Sequence, residues 1–216
     1  MPREGDDFAR SVFINCPFDP EYIPLRRALL FVVLDCGLEP RIASQRFDSG
    51  EARMEKIRSL IRMCRFSIHD ISRLEPLRSG RLPRFNMPFE LGLDLGCRYY
   101  GGAPLNTKQC LVLERKGSRY RRVLSDLAGH DISAHQNRPE ILVAEVRNWL
   151  ATVKPDLQSG SRIWERLNIF YSYLEPVLAS RHYTKKEMDS LPAGEYIEAV
   201  KQWQANERAE EKPGTK

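Results

Sequence analysis

Between residues 11 and 150, short runs of β-branched and aromatic residues alternate with longer segments whose apolar residues recur at helical spacing. This alternation restricts the fold more than any other feature of the sequence. Ser11 to Cys16 reads as a first strand that stops at the turn Pro17-Phe-Asp-Pro20. Glu21 to Cys36 follows as a helix, carrying Ile23, Leu25, Ala28, Leu29, Val32 and Val33 on its apolar positions and ending at Gly37. Leu38 to Ala43 is a second strand, and Asp48 or Ser49 caps a second helix with Met54, Ile57, Leu60, Ile61 and Cys64 in one stripe. Arg65 to Ile71 is a third strand, and Asn86 caps a third helix that reaches about Arg98. Lys108 to Glu114 is a fourth strand, Asp126 to Ser133 holds a short fifth, and Glu140 to Val153 closes the set as a helix. Strands alternating with helices of this length require crossover units, so the expected class is α/β: an open, mostly parallel five-stranded sheet covered by helices.

A chain of 216 residues has room for one such domain and an appendage. The boundary falls at a polar connector from Lys154 to Ser161, which gives a domain over 1–153 and a helical extension over 154–216. In the extension, Arg162 to Leu178 has a helical pattern, two shorter helices lie near 185–190 and 194–206, and the end is expected to fray after Gln204. The longest apolar runs, Ala28 to Leu34 and Cys110 to Leu113, are far below the roughly 20 residues of a membrane span. The first ten residues are charged and lack an apolar stretch, so no secretory signal is expected and the cytoplasm is the default compartment. The five cysteines are scattered without a CxxC pair, which fits small buried hydrophobes in a reducing compartment.

The net charge of +5 resides in the first 158 residues, because 159–216 holds nine basic and nine acidic side chains. Residues 41–84 hold eleven basic against five acidic, and ten of the eleven are arginine, the residue best suited to bidentate binding of phosphate or carboxylate. An anionic ligand is one reading, and a solvated basic face or a self-association surface is the other. Nucleic-acid binding ranks last, because the arginines lack interleaved aromatics.

Ligands of open parallel sheets bind outside the carboxyl ends of the strands. That rule directs attention to Asn15 and the turn after it, to Asp70 at the end of the third strand, and to Asn86 and Glu90 at the start of the next helix. A carboxylate such as Glu90 can accept a proton, support an oxocarbenium-like centre or attack it. A first-turn glutamate can equally serve the helix dipole, and Asp70 can be a simple strand-end turn residue. Gly92 and Gly96, four apart, suggest a flat face where this helix lies close to a neighbour. Strand alternation turns His69 away from Asp70, as a packed or hydrogen-bonded histidine. The spacing of His130 and His135 does not favour a metal, and none is expected. No dinucleotide-binding glycine motif, P-loop or GxSxG elbow occurs.

The stretch Phe85-Asn-Met-Pro-Phe-Glu-Leu-Gly-Leu-Asp-Leu-Gly96 resembles the helix of nucleoside 2-deoxyribosyltransferases and related nucleotide N-glycosidases, with their aromatic-Glu-Leu-Gly motif. The Asn-Cys-Pro-Phe turn is similar to that family's Gly-Pro-Phe loop, and Phe66-Ser-Ile-His-Asp70 to its aspartate-terminated strand. The order also resembles that of NAD-cleaving Toll/interleukin-receptor (TIR) domains, which share a flavodoxin-like architecture. The resemblance spans roughly residues 11–150. It departs at Asn15, where a glycine is expected, and at Arg84, Phe85 and Asn86, where the family has an acidic residue.

The resemblance implies cleavage or transfer at the N-glycosidic bond of NAD or a (deoxy)nucleotide. Glu90 would act at the anomeric carbon, and Asp70 would orient a ribose hydroxyl or help protonate the base. Asn15, Pro17, Phe18 and Asn86 would line the pocket, and Arg46, Arg73 or Arg84 would hold phosphate. It implies no resident cofactor, the nucleotide being substrate, and it implies a defence effector that works as a homo-oligomer or with a partner protein. A non-catalytic nucleotide-sensing or assembly module on the same fold is the rival expectation.

Overall fold

The computed structural model describes residues 4–45, 48–74, 83–116 and 119–210. Five strands, β1 (Ser11–Asn15), β2 (Glu39–Ile42), β3 (Phe66–Asp70), β4 (Gln109–Glu114) and β5 (Ile132–Ala134), form one sheet in the order β2-β1-β3-β4-β5. Every pairing in it is parallel. The expected α/β class and flavodoxin-like topology are therefore present, and the fifth strand is only three residues long. None of the helices among the described residues is long and apolar enough to cross a membrane.

A short helix absent from the sequence reading, α1 (Glu4–Arg10), precedes β1. Next come α2 (Ile23–Asp35), α3 (Arg53–Met63), α4 (Asn86–Tyr100) and α5 (Pro139–Ala151). Alternate residues of a strand face opposite sides of the sheet. Val12 and Ile14 of β1, Phe66 and Ile68 of β3, and Leu111 and Leu113 of β4 join one large core with α2 and α5. Phe13 instead meets Ile57, Ile61 and Cys64 of the α3 region on the other face. Gly37 follows α2 with φ +73°, a left-handed turn that stops the helix and that glycine adopts at least cost.

Two expected caps are displaced. Asp48 and Ser49 do not cap α3: the Asp48 carboxylate accepts from the Gly50 amide in a preceding turn, and the cap position is Ala52. Asn86 is the first residue of α4 rather than its cap, which is Phe85, and no side chain caps that end.

The extension forms α6 (Gly160–Ser180), α7 (Lys185–Asp189) and α8 (Ala193–Glu210). It shares the large core: Phe31 of α2 packs on Phe170 and Trp203 with ring centroids 5.7 and 5.8 Å away. Layers on both sides explain the run Ala28 to Leu34, which is buried throughout. Over the described residues the helix does not fray after Gln204, and the rest of that expectation, for 211–216, lies outside them. α8 continues to Glu210, because Gln204 Nε2 donates to Asp35 (3.2 Å) and Glu207 pairs with Arg166 (2.8 Å).

Candidate active site

Neighbours β1 and β3 send their following connections in opposite directions, so the crevice between their carboxyl ends is the topological switch point where such sheets take ligands. Asn15 and Asp70 end these two strands, and the N-terminal turn of α4 stands beside them. The three stretches thus meet at one rim, although their side chains divide between the two faces of the sheet.

On the α3–α4 face lies a buried polar chain. Asn15 Nδ2 donates to the Met87 carbonyl (2.9 Å) and lies 3.0 Å from His69 Nδ1. The carbonyl partner fixes the amide nitrogen as donor, so Nδ1 accepts and the imidazole proton sits on Nε2. There it meets Asp94 Oδ2 at 3.1 Å, while Lys108 Nζ lies 3.0 Å from Asp94 Oδ1. The Lys108 ammonium also donates to the Ile61 and Cys64 carbonyls at the end of α3. Burial alone would raise the Asp94 pKa, but His69 and Lys108 hold it down at about 2.

Glu90 stands one helical turn before Asp94 on α4, and its surroundings are different. It is 5% exposed, and among the described residues its carboxylate meets one ion-pair partner, Arg53 Nη2 at 3.5 Å. Burial raises its pKa, and the Arg53 guanidinium offsets only part of that. Phe85 and Phe89, which flank this turn, are 62% and 55% exposed. A desolvated carboxylate with one long ion pair, beside exposed aromatic rings, can act as acceptor, proton carrier or nucleophile.

Asp70 faces the opposite side, and both of its oxygens are occupied. Oδ2 accepts from the Tyr22 hydroxyl and lies 3.0 Å from His135 Nε2, and Oδ1 accepts from the Ser72 amide at 2.8 Å. Gln136 and Asn137 have left-handed φ of 52° and 62°, and the Asn137 amide donates to His135 Nδ1 (3.0 Å). The ring proton of neutral His135 therefore sits on Nε2, facing Asp70. Burial would raise the Asp70 pKa, yet these hydrogen bonds hold it below the ordinary value. Asp70, expected to act on the ribose or the base, is here bound by Tyr22, Ser72 and His135 on the face away from Glu90.

The other expected site residues separate in the same way. Asn15 is a helix tether within the buried chain. Pro17 is buried, and Phe18 packs on the large core beneath the Arg26 guanidinium (5.5 Å). Arg73, named with Arg46 and Arg84 as a phosphate holder, is buried and forms a bidentate pair with Asp19 (2.9 and 2.8 Å). Arg84 and Asn86 are exposed at the rim, and Arg46 lies outside the described residues.

Gly92 and Gly96 do not create a close packing face, since a Cβ at Gly92 would meet nothing within 4 Å and one at Gly96 only Tyr100 at 4.0 Å. His130 is exposed and His135 buried, so the two do not converge. His69, Asp94 and Cys110 offer potential ligand atoms within 4.8 Å of one another, but Lys108 already places a cation on Asp94. No metal is assigned there.

Arg53, Asp94 and Lys108 escaped the sequence reading. The signal for Asp94 was available: it is the one charged residue in the apolar stretch Leu91 to Cys97, four residues after Glu90. Comparison with protein-family models, curated proteins and solved structures gives no match.

Proposed function

We propose that this protein cleaves the N-glycosidic bond of a nucleotide, either a (deoxy)nucleoside monophosphate or NAD, with Glu90 as the catalytic carboxylate. The observation that carries the reading is the contrast among three buried acids at one sheet edge. Asp70 is hydrogen-bonded through both oxygens, Asp94 is bound by His69 and ion-paired with Lys108, and both are held below the ordinary pKa, whereas Glu90 is desolvated, raised in pKa and loosely paired. Only Glu90 retains unspent basicity, the property needed to support or attack an electron-poor anomeric carbon. The exposed rings of Phe85 and Phe89 suit stacking of a base, and exposed Arg84 suits an anionic end group. The resemblance of the Phe89-Glu-Leu-Gly92 stretch to nucleotide N-glycosidases supports the same residue.

In this reading a Glu90 oxygen approaches C1′ as the C1′–N bond breaks, and the bonding pair leaves with the base. Water then releases the sugar from the carboxylate, or a second base takes its place. Work as a defence effector, in a homo-oligomer or with a partner protein, belongs to the same proposal.

The test is incubation of wild type and Glu90→Gln with NAD, NADP, nucleoside monophosphates and deoxynucleosides, following free base by chromatography and mass spectrometry. Base release by wild type, reduced at least ~10³-fold in Glu90→Gln, is the expected result. Nucleotide binding without base release, including at high protein concentration, would favour the sensing module instead.

A further inference from the structure

Among the described residues the guanidinium of Arg53 is the cation that pairs with Glu90, and it is badly placed for the chemistry just described. A cation beside the carboxylate weakens it as a nucleophile and opposes positive charge on the sugar ring. Yet the contact is loose. At 3.5 Å it exceeds the 2.7–2.9 Å of a well-formed charge-assisted hydrogen bond. The Arg53 side chain is 58% exposed, at the first residue of α3, while the Glu90 side chain is 6% exposed. One partner is fixed and the other is at the end of a long, solvated stem that can swing away. Two other buried cations of the described residues are already engaged, Arg73 with Asp19 and Lys108 with Asp94.

We propose that Arg53 covers Glu90 in the empty site and is drawn off it by the phosphate of the substrate, so that only phosphorylated nucleosides free the carboxylate. A phosphate group carries more charge than a carboxylate and offers a fork of oxygens matching the guanidinium, so it outcompetes a single long contact. Arg53 is then a specificity-determining residue that the charge count of residues 41–84 could not single out. The inference rests on the Glu90 reading and adds to it the requirement for phosphate and the residue that imposes it.

The experiment measures AMP and adenosine in parallel, by base release and by calorimetric binding, with wild type, Arg53→Ala and Arg53→Lys, after circular dichroism has established that each variant is folded. Wild type is expected to bind AMP at least ~10-fold more tightly than adenosine, and Arg53→Ala to lose most of that preference, with Arg53→Lys in between. In turnover, Arg53→Ala is expected to lower kcat/KM for AMP ~10- to 100-fold and to raise it for adenosine, because Glu90 is then uncovered. Equal preference in wild type and Arg53→Ala would overturn the role of Arg53 while leaving base release, and hence the Glu90 reading, intact. Phosphate-dependent binding lost in Arg53→Ala, with no base released by any variant, would retain Arg53 as the phosphate reader and overturn the catalytic reading.

Discussion

The side-chain amide of Asn15 donates to the backbone carbonyl of Met87 across 2.9 Å, tying the end of β1 to the first turn of the helix that carries Glu90. The same nitrogen faces His69 Nδ1, so one amide orients both α4 and the imidazole below it. Asn15→Asp keeps the shape and exchanges two donors for acceptors, opposite two groups that are themselves acceptors. It is expected to lose about 2–3 kcal/mol of stability, read as a shift in urea midpoint at constant m. Base release should fall with it. An unchanged midpoint would mean that the tether does not hold the helix.

Glu90 offers a prediction whose sign is opposite to that of most active-site substitutions. Its folded pKa is raised by burial, so the stability linked to its protonated form is full below about 4.5, the unfolded value, and is lost as pH rises through the folded value. Glu90→Gln imitates the protonated form. At pH 7 it should be more stable than wild type by on the order of 1 kcal/mol, and the two melting curves should converge as pH falls toward 4.5. Base release by wild type should rise with pH through the same titration, since attack requires the ionised carboxylate.

Asp94 and Lys108 form a buried pair whose halves are costly apart. Lys108→Met should destabilise by about 3–5 kcal/mol, and so should Asp94→Asn, whereas the double variant should lose less than their sum. The linkage runs in the usual acid direction. Asp94 falls from 3.8 unfolded to about 2 folded, so its contribution is present above pH 4 and is lost as pH falls toward 2. Lys108→Met should flatten that limb of the acid-unfolding curve.

Removing the extension after Val153 should not yield a soluble α/β domain. Phe31 would lose Phe170 and Trp203, and with them the cover on the outer side of α2. The truncated chain is expected to aggregate or bind a hydrophobic dye, as judged by gel filtration and fluorescence. Within the full chain, Trp203→Ala should lose about 3–5 kcal/mol in urea unfolding. A monomeric, cooperatively folding fragment 1–153 would show that the boundary in the sequence is also an energetic one.

The elements legible in the sequence were those set by local pattern. The alternation of β-branched runs with helical stripes located the first four strands to within about a residue, because periodicity is a property of neighbours, whereas the fifth was placed only within Asp126 to Ser133 and runs from Ile132 to Ala134. Pairings between distant residues were not legible. The run Ala28 to Leu34 fits a one-sided helix equally well until α6 and α8, more than 125 positions later, are known to cover the other side. Asp70 looked available because Tyr22 and His135, 48 and 65 residues away in sequence, leave no local mark on it. Arg53 was one of ten arginines in residues 41–84, and only the approach of α3 to α4 distinguishes it.

The double covering of α2 also sets a timescale for the molecule. An amide in α2 can exchange its proton for deuterium only when the sheet on one side or the outer helices on the other give way, so α2 and β1 should be the last segments to exchange, at the rate of global unfolding. Helices α3 and α4 lie on the opposite face of the sheet from α6 and α8 and can open locally without disturbing that slow core. The protein is thus divided into a half that remembers its fold for the longest time and a half that can yield around Glu90.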